Sequence, residues 1–470
     1  NAAYEGAWSS DGGYLVFDGA TAAGAAKENS AAWTLMGGTV TFTNGVQTIG
    51  RAMTIDPGAT TAMVVNAECD TTVLGGIKAL SGGLVKRGSG KLTLKYGLGT
   101  TTLTKDNFSR QGQMPTSGAI TFPENGASPA PGNLSSLSVL SGTLRIEGVG
   151  QGSTTLSEQN RNHIVGGNWS EAPASARLEL EKATLDMQGN DWQFVIGNCI
   201  SSAAATRPTV SVGSGGYLST TCTHVGREGS FEGLVYPVLA VTNGSAVRFY
   251  DTWFGGSSSS ASSKIRPIIR VGTGGSIVQR AANTRFFSYA IHLGHAVDVE
   301  VADGGFLQTA NTTWGLFVKP AASGEVRFLN GGKLEVPIIA SQGAATTDEP
   351  LKIVFDGGIF APTVVHTSSV HSAALRTIEL RGAGLTYQSN VRHTLAMRVT
   401  GSGDFVKKGA NCITVDRALS ATGTLEVVSG PFAFTANGSW KHCTGVSVSG
   451  ANVRMDGLFT ASVSDALGGS

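Results

Sequence analysis

Apolar and polar residues alternate over short runs along this chain, and glycine-rich corners interrupt the alternation. In Asp298-Val299-Glu300-Val301 the valines share one side and the acids the other, which is the two-residue period of a β-strand. Asp303-Gly304-Gly305 then suits a sharp corner at positive φ, and Leu307 resumes the inward direction on a new strand. The stretch Glu325-Val326-Arg327-Phe328, Asn330-Gly331-Gly332, Leu334-Glu335-Val336 repeats the arrangement.

The repeated unit is apolar–x–Asn/Asp/Gly–Gly–Gly/Ser–x–apolar, with copies at 212–218, 241–247, 271–277, 301–307, 328–334 and 354–360. Its central glycines Gly215, Gly244, Gly274, Gly304, Gly331 and Gly357 recur at intervals of 29, 30, 30, 27 and 26 residues. Recurrence of one unit in one direction at this period predicts stacked coils with parallel strands, about 4.8 Å apart. An early copy stands at 35–40, and shorter versions stand at 139–144 and 427–432. The expectation is an all-β parallel β-helix, a solenoid. Residues 1–31 would form the N-terminal cap and first coil, and residues 32–470 the helix, continuing beyond this fragment. Three segments break the rhythm: 106–133 with four prolines, the polar 147–175, and the Gly/Ser-rich 255–263. They are expected to protrude as loops.

Composition narrows the function classes. Glycine is 65 of 470 residues, and charged residues are only 14%, too few for long amphipathic helices with charged faces. A formal net charge of +1 gives no electrostatic case for nucleic acid or an anionic membrane surface. No apolar run is long enough for a transmembrane helix. Five cysteines, Cys69, Cys199, Cys222, Cys412 and Cys443, include no C-x-x-C. Cys199 with Cys222, and Cys412 with Cys443, are spaced so that neighbouring coils could bridge them; the alternative is buried free thiols.

The stretch Gly82-Gly83-Leu84-Val85-Lys86-Arg87-Gly88-Ser89-Gly90-Lys91-Leu92-Thr93-Leu94 resembles the autotransporter-associated β-strand repeat, also called the passenger-associated transport repeat. A second copy is similar, Gly403-Asp404-Phe405-Val406-Lys407-Lys408-Gly409-Ala410-Asn411-Cys412-Ile413-Thr414-Val415. Lys86 and Lys407, Gly88 and Gly409, and the closing pairs Leu92/Leu94 and Ile413/Val415 match in register. The second copy has Asn411 where the family pattern has glycine, a mild change because Asn tolerates a left-handed corner. The resemblance implies a right-handed parallel β-helix in a secreted or surface-displayed bacterial protein, with the repeat itself structural. No C-terminal membrane barrel is present in these residues.

Candidate chemistry is sparse. A register nine or ten residues after the corner holds Trp192, His224, Trp253 and Trp314. Facing outward, these would form an aromatic strip suited to sugar rings; facing inward, a core ladder. Asp191 and Asp251 precede two of the tryptophans, and paired carboxylates on a β-helix would suit glycoside hydrolysis or a lyase. The competing reading makes each a backbone cap at a turn. Arg270, Glu300 and Arg327 occupy matched positions in consecutive repeats, which predicts a charge ladder that alternates in sign. His292, His295, His366 and His371 have no partners at metal-ligand spacing and are expected as lone exposed histidines. No cofactor is implied. The expected function is an extracellular structural or adhesive module, with contact to polysaccharide or a neighbouring cell surface and self-association through strand-rich faces. The alternatives are a polysaccharide lyase or glycoside hydrolase, and a non-catalytic carbohydrate-binding module using Trp192, Trp253 and Trp314.

Overall fold

A computed structural model describes residues 8–19, 33–49, 53–55, 62–73, 77–79, 83–96, 137–148, 163–166, 175–187, 193–198, 205–220, 222–227, 234–249, 251–255, 264–279, 291–309, 315–319, 322–341, 350–365, 377–395, 397–440, 442–449 and 453–455. Among these residues there is no helix, and the strands pair in parallel with the next coil, as in a parallel β-helix. The chain forms two compact units, Asn1–Phe249 with Lys264–Pro267, and Tyr250–Ser263 with Ile268–Ser470.

In unit 1, Tyr14–Asp18 pairs with Thr39–Thr43, which pairs with Ala62–Ala67, Gly83–Arg87, Leu137–Val139 and His163–Val165 in turn. A second face runs from Gln47–Ile49 through Thr71–Val73, Lys91–Tyr96 and Thr143–Gly148 to Arg177–Glu181. The segment 147–175, expected as a loop, therefore contains a strand. Ile164 and Val165 in it are fully buried in the ladder, and this apolar pair is too short to stand out among polar neighbours. The expected loop 106–133, and all of the expected loop 255–263 beyond Gly255, lie outside the described residues.

Unit 2 has three strands per coil. One coil reads Val297–Val301, Phe306–Thr309, Leu316–Val318, and the next Gly324–Leu329, Lys333–Val336, Ile339–Ser341. Alternation sends every second side chain inward, so identical positions stack. Val299, Val326, Ile353 and Ile378 form one fully buried ladder, and Phe328 stacks on Phe355 at 4.9 Å beside it. Burying a side chain of this size stabilises by roughly 1.5–3 kcal/mol, so the core grows by a similar increment with each coil.

The corners have a consistent geometry. At Ala302-Asp303-Gly304-Gly305, the Gly305 N–H donates to the Ala302 carbonyl at 2.8 Å, and Asp303 and Gly304 have φ of 51° and 73°. Two successive positive φ values across an i to i+3 bond are the sign pattern of a type I′ turn. The central glycines Gly215, Gly244, Gly274, Gly331 and Gly357 likewise have φ of 76°, 71°, 70°, 80° and 75°. The residue after them serves a different purpose. A Cβ on Gly332 would sit 1.9 Å from the Val301 carbonyl oxygen of the preceding coil. In unit 1 Ser245 holds the corresponding place and is buried, so that close approach is not uniform.

The two glycine–lysine stretches turn differently. Lys86 pairs across the sheet with Val65 and Val139, both core positions, and is fully buried. Its ammonium donates to the carbonyls of Gly88 and Gly90 at 2.7 Å and of Ser141, in the next coil, at 3.1 Å. Burial pushes its pKa down to about 8, with Glu68 and Asp70 pulling the other way. Lys407 repeats the device in unit 2. It stacks between Tyr387 and Val427, is fully buried, and donates to the carbonyls of Gly409 and Ser429. Asn411, in the place of Gly90, uses its side-chain amide to reach the Asn390 carbonyl at 2.8 Å.

Candidate functional site

The side chains that combine accessibility with unusual chemistry in unit 2 stand on three neighbouring strands, Asp251–Phe254, Ile291–Leu293 and Leu316–Val318. Thr252, Ile291 and Leu316 are in register and buried, as are Phe254, Leu293 and Val318. Alternation therefore turns the intervening Trp253, His292 and Phe317 to the outer side of the sheet. Trp253 and Phe317 are half-buried and His292 is buried between them.

The cluster is tightly connected. The Trp253 and His292 rings stack at 4.0 Å with an interplanar angle of 10°, and His292 meets Phe317 edge-on at 5.5 Å. Asp251 is two residues before Trp253 and so on the same side. Its Oδ2 accepts from the Trp253 indole N–H at 3.2 Å, and its Oδ1 lies 3.5 Å from His292 Nε2. Lys319, two residues after Phe317, places its ammonium 4.3 Å from the Trp253 ring centre, a cation–π contact. Burial lowers the Lys319 pKa from the ordinary lysine value, and Asp251 opposes that shift. A buried carboxylate thus balances a partly desolvated ammonium across an indole. The indole is fixed by its N–H, while part of its surface stays in contact with solvent.

Trp253 faces outward rather than into a core ladder, and Asp251 lies within a strand rather than capping a turn. His292 is not a lone exposed histidine: it is only 3% exposed and stacked on Trp253. His295 bonds Ser323 through Nδ1 at 2.9 Å. Asp191, Trp192, Trp314, His366 and His371 lie outside the described residues. Counting from the corner missed His292 and Phe317, because the segment between the corner strand and this face varies in length. Residues 280–290 intervene before Ile291, so the register-matched residue falls well beyond the tenth position. The usable signal was the shared pattern apolar–aromatic–apolar in Ile291-His292-Leu293 and Leu316-Phe317-Val318.

The remaining candidates resolve into structural roles. Arg270, Glu300 and Arg327 are in direct register. Arg327 lies 2.9 Å from Glu300 and 3.3 Å from Asp298, while Arg270 contacts Asp298 at 2.8 Å and Glu300 at 4.0 Å. Arg381 extends the network to Glu325 and Glu379, and its hydrogen bond lowers the Glu379 pKa. Half-exposed pairs of this kind contribute roughly 0.2–1 kcal/mol each and hold register. Cys412 and Cys443 are free thiols, so that bridge does not form; Cys199 lies outside the described residues, and Cys222 lies 3.4 Å from His224 Nε2. Among the described residues, no group of three or more His, Cys, Asp or Glu could hold a metal ion. No helix among them is long and apolar enough to cross a membrane.

Comparisons with protein-family models, with curated proteins and with solved structures found no match to this chain.

Proposed function

We propose that this chain is a structural and adhesive β-helical module of a secreted or cell-surface protein, which presents its outer faces for contact with glycan. The observation that carries the reading is the outward cluster built on Trp253. Its indole is locked by Asp251, stacked on His292 and overlain by the Lys319 ammonium at 4.3 Å, so the solvent-exposed part of the ring and that ammonium form one rigid outward surface. Rigid aromatics with a nearby polar group bind sugars at low entropic cost, since no side chain must be ordered first. The charge ladder supports a scaffold role for the adjoining face, because its ions are satisfied from coil to coil. The resemblance of the 82–94 and 403–415 stretches to the autotransporter repeat is a second support, and it favours an extracellular setting.

The hydrolase or lyase alternative is less favoured by the same cluster. Asp251 is only 6% exposed and already engaged by the Trp253 indole, whereas a glycosidase acid must reach the scissile bond. The test is a polysaccharide array read for binding, with reducing ends and unsaturated uronate monitored in parallel. Binding without cleavage, weakened roughly tenfold by Trp253→Ala, is the expected outcome. Cleavage of any glycan would overturn the scaffold reading, and binding indifferent to Trp253→Ala would remove the cluster from it.

A further inference from the structure

A second surface, in unit 1, has no part in the cluster just described. Its outer face carries a groove of about 720 Å³, within the size range of ligand sites. Two outward rows line it. One is Tyr14, Thr39, Val64, and the other, two residues along each strand, contributes Asn66 and Arg87. The groove runs across the strands from the coil of Tyr14 to that of Ser141. At about 4.8 Å per coil this covers four steps, on the order of 19 Å.

Tyr14 is the informative residue. It is 69% exposed, the most exposed large apolar side chain in the described chain. It is nonetheless anchored: Thr41, on the neighbouring strand, donates its hydroxyl proton to the Tyr14 hydroxyl at 3.0 Å and is itself buried. The ring is therefore held across the sheet with most of its surface open. The far end of the groove is polar, with the Asn66 amide, the Arg87 guanidinium and Glu68, whose carboxylate accepts from the Ser89 N–H at 3.3 Å. One arginine and one glutamate leave the lining with no net charge, unlike a site for phosphate or uronate.

We infer that this groove binds a neutral oligosaccharide lying along the stacking direction, with a sugar ring on Tyr14 and hydroxyls on Asn66, Arg87 and Glu68. An aromatic platform, a small apolar floor at Val64 and paired donors and acceptors match the two-faced chemistry of an uncharged sugar chain. A fully ionic or fully apolar ligand would leave half of these groups unmatched. The inference deepens the glycan-contact reading and rests on it.

The test is calorimetric titration of the full chain with neutral hexasaccharides of glucose, mannose and xylose, their trisaccharides, and an oligogalacturonate. The expected result is binding of a neutral hexasaccharide with little salt dependence, weaker binding of its trisaccharide, and a loss of roughly tenfold in Tyr14→Ala but not in Trp253→Ala. Tyr14 is exposed, so this variant should keep its melting temperature, and Asn66→Ala gives an independent second lesion. If only oligogalacturonate binds, and Trp253→Ala abolishes it, the groove assignment is overturned while the glycan reading survives. If none of the sugars binds, the groove assignment is overturned, and the polysaccharide array decides the glycan reading separately.

Discussion

The lysine corner of unit 1 and the Asp303-Gly304-Gly305 corner of unit 2 solve the same problem with opposite means. Both must turn the chain from one sheet to the next beside the closely packed backbone of a neighbouring coil. The Asp303 corner closes on itself. Its backbone makes the i to i+3 bond, two residues accept positive φ, and Gly305 clears the Val271 carbonyl of the coil before. At the Lys86 corner an ammonium is imported into the core to serve three carbonyls, and Gly142 stands where a Cβ would come within 2.5 Å of that nitrogen. One corner depends on what is left out of the chain, the other on what is inserted.

The first way to break this comparison acts on absence. Gly332→Ala would force a methyl group to 1.9 Å from a backbone oxygen, which no rotamer change can relieve. We expect a loss of more than about 3 kcal/mol, or failure to fold, measured by urea denaturation. Next comes Lys86→Met, which fills the space but leaves the Gly88, Gly90 and Ser141 carbonyls short of their charged donor. About 2–4 kcal/mol should be lost, against under about 1 kcal/mol for removing an exposed lysine such as Lys91.

The same residue gives the lysine corner a pH signature. With its folded pKa pushed down to about 8 and an unfolded value of 10.5, Lys86 holds its proton less tightly in the folded chain. Between those values the unfolded chain binds more protons, so stability from this group rises with pH. The expected outcome is that the stability difference between wild type and Lys86→Met widens in favour of wild type from pH 8 to 10.5. A constant difference would sink the assignment.

The smallest effects sharpen the glycine corner. A Cβ on Gly304 would meet no atom within 4 Å, so the requirement there is φ alone. Gly304→Val should cost on the order of 1–2 kcal/mol. Gly304→Asn, which tolerates the left-handed region, should cost less than about 1 kcal/mol. Equal melting temperatures for the two variants would show that φ does not matter there.

Much of the fold could be read from the sequence, because stacking writes the same constraint many times. Val299, Val326 and Ile353 carry the period of two and the glycines carry the corner, so each coil confirms the last. The buried lysines show where such reading stops. Lys86 shares the parity of Leu84, and Lys407 that of Phe405, a parity that agrees with the inner position both occupy. Ordinary expectation sends lysine to solvent, and only three-dimensional carbonyl placement reverses it. The Trp253 cluster was half legible. Trp253 and Asp251 stood out as residue types, but His292, Phe317 and Lys319 join them through coil register, which the length of the intervening segment conceals.

The acceptors of Lys86 divide unequally between coils, and this gives the stack a direction along its axis. Gly88 and Gly90 belong to its own turn, whereas Ser141 arrives only with the turn that follows. Lys407 shows the same division between Gly409 and Ser429. A chain folding coil by coil therefore holds a cation with an open coordination position at its advancing edge. The next coil fits best when it presents a carbonyl, and a glycine, at that one place. The lysine acts as a register pin for its successor, so that a slipped coil leaves a buried charge exposed as an error.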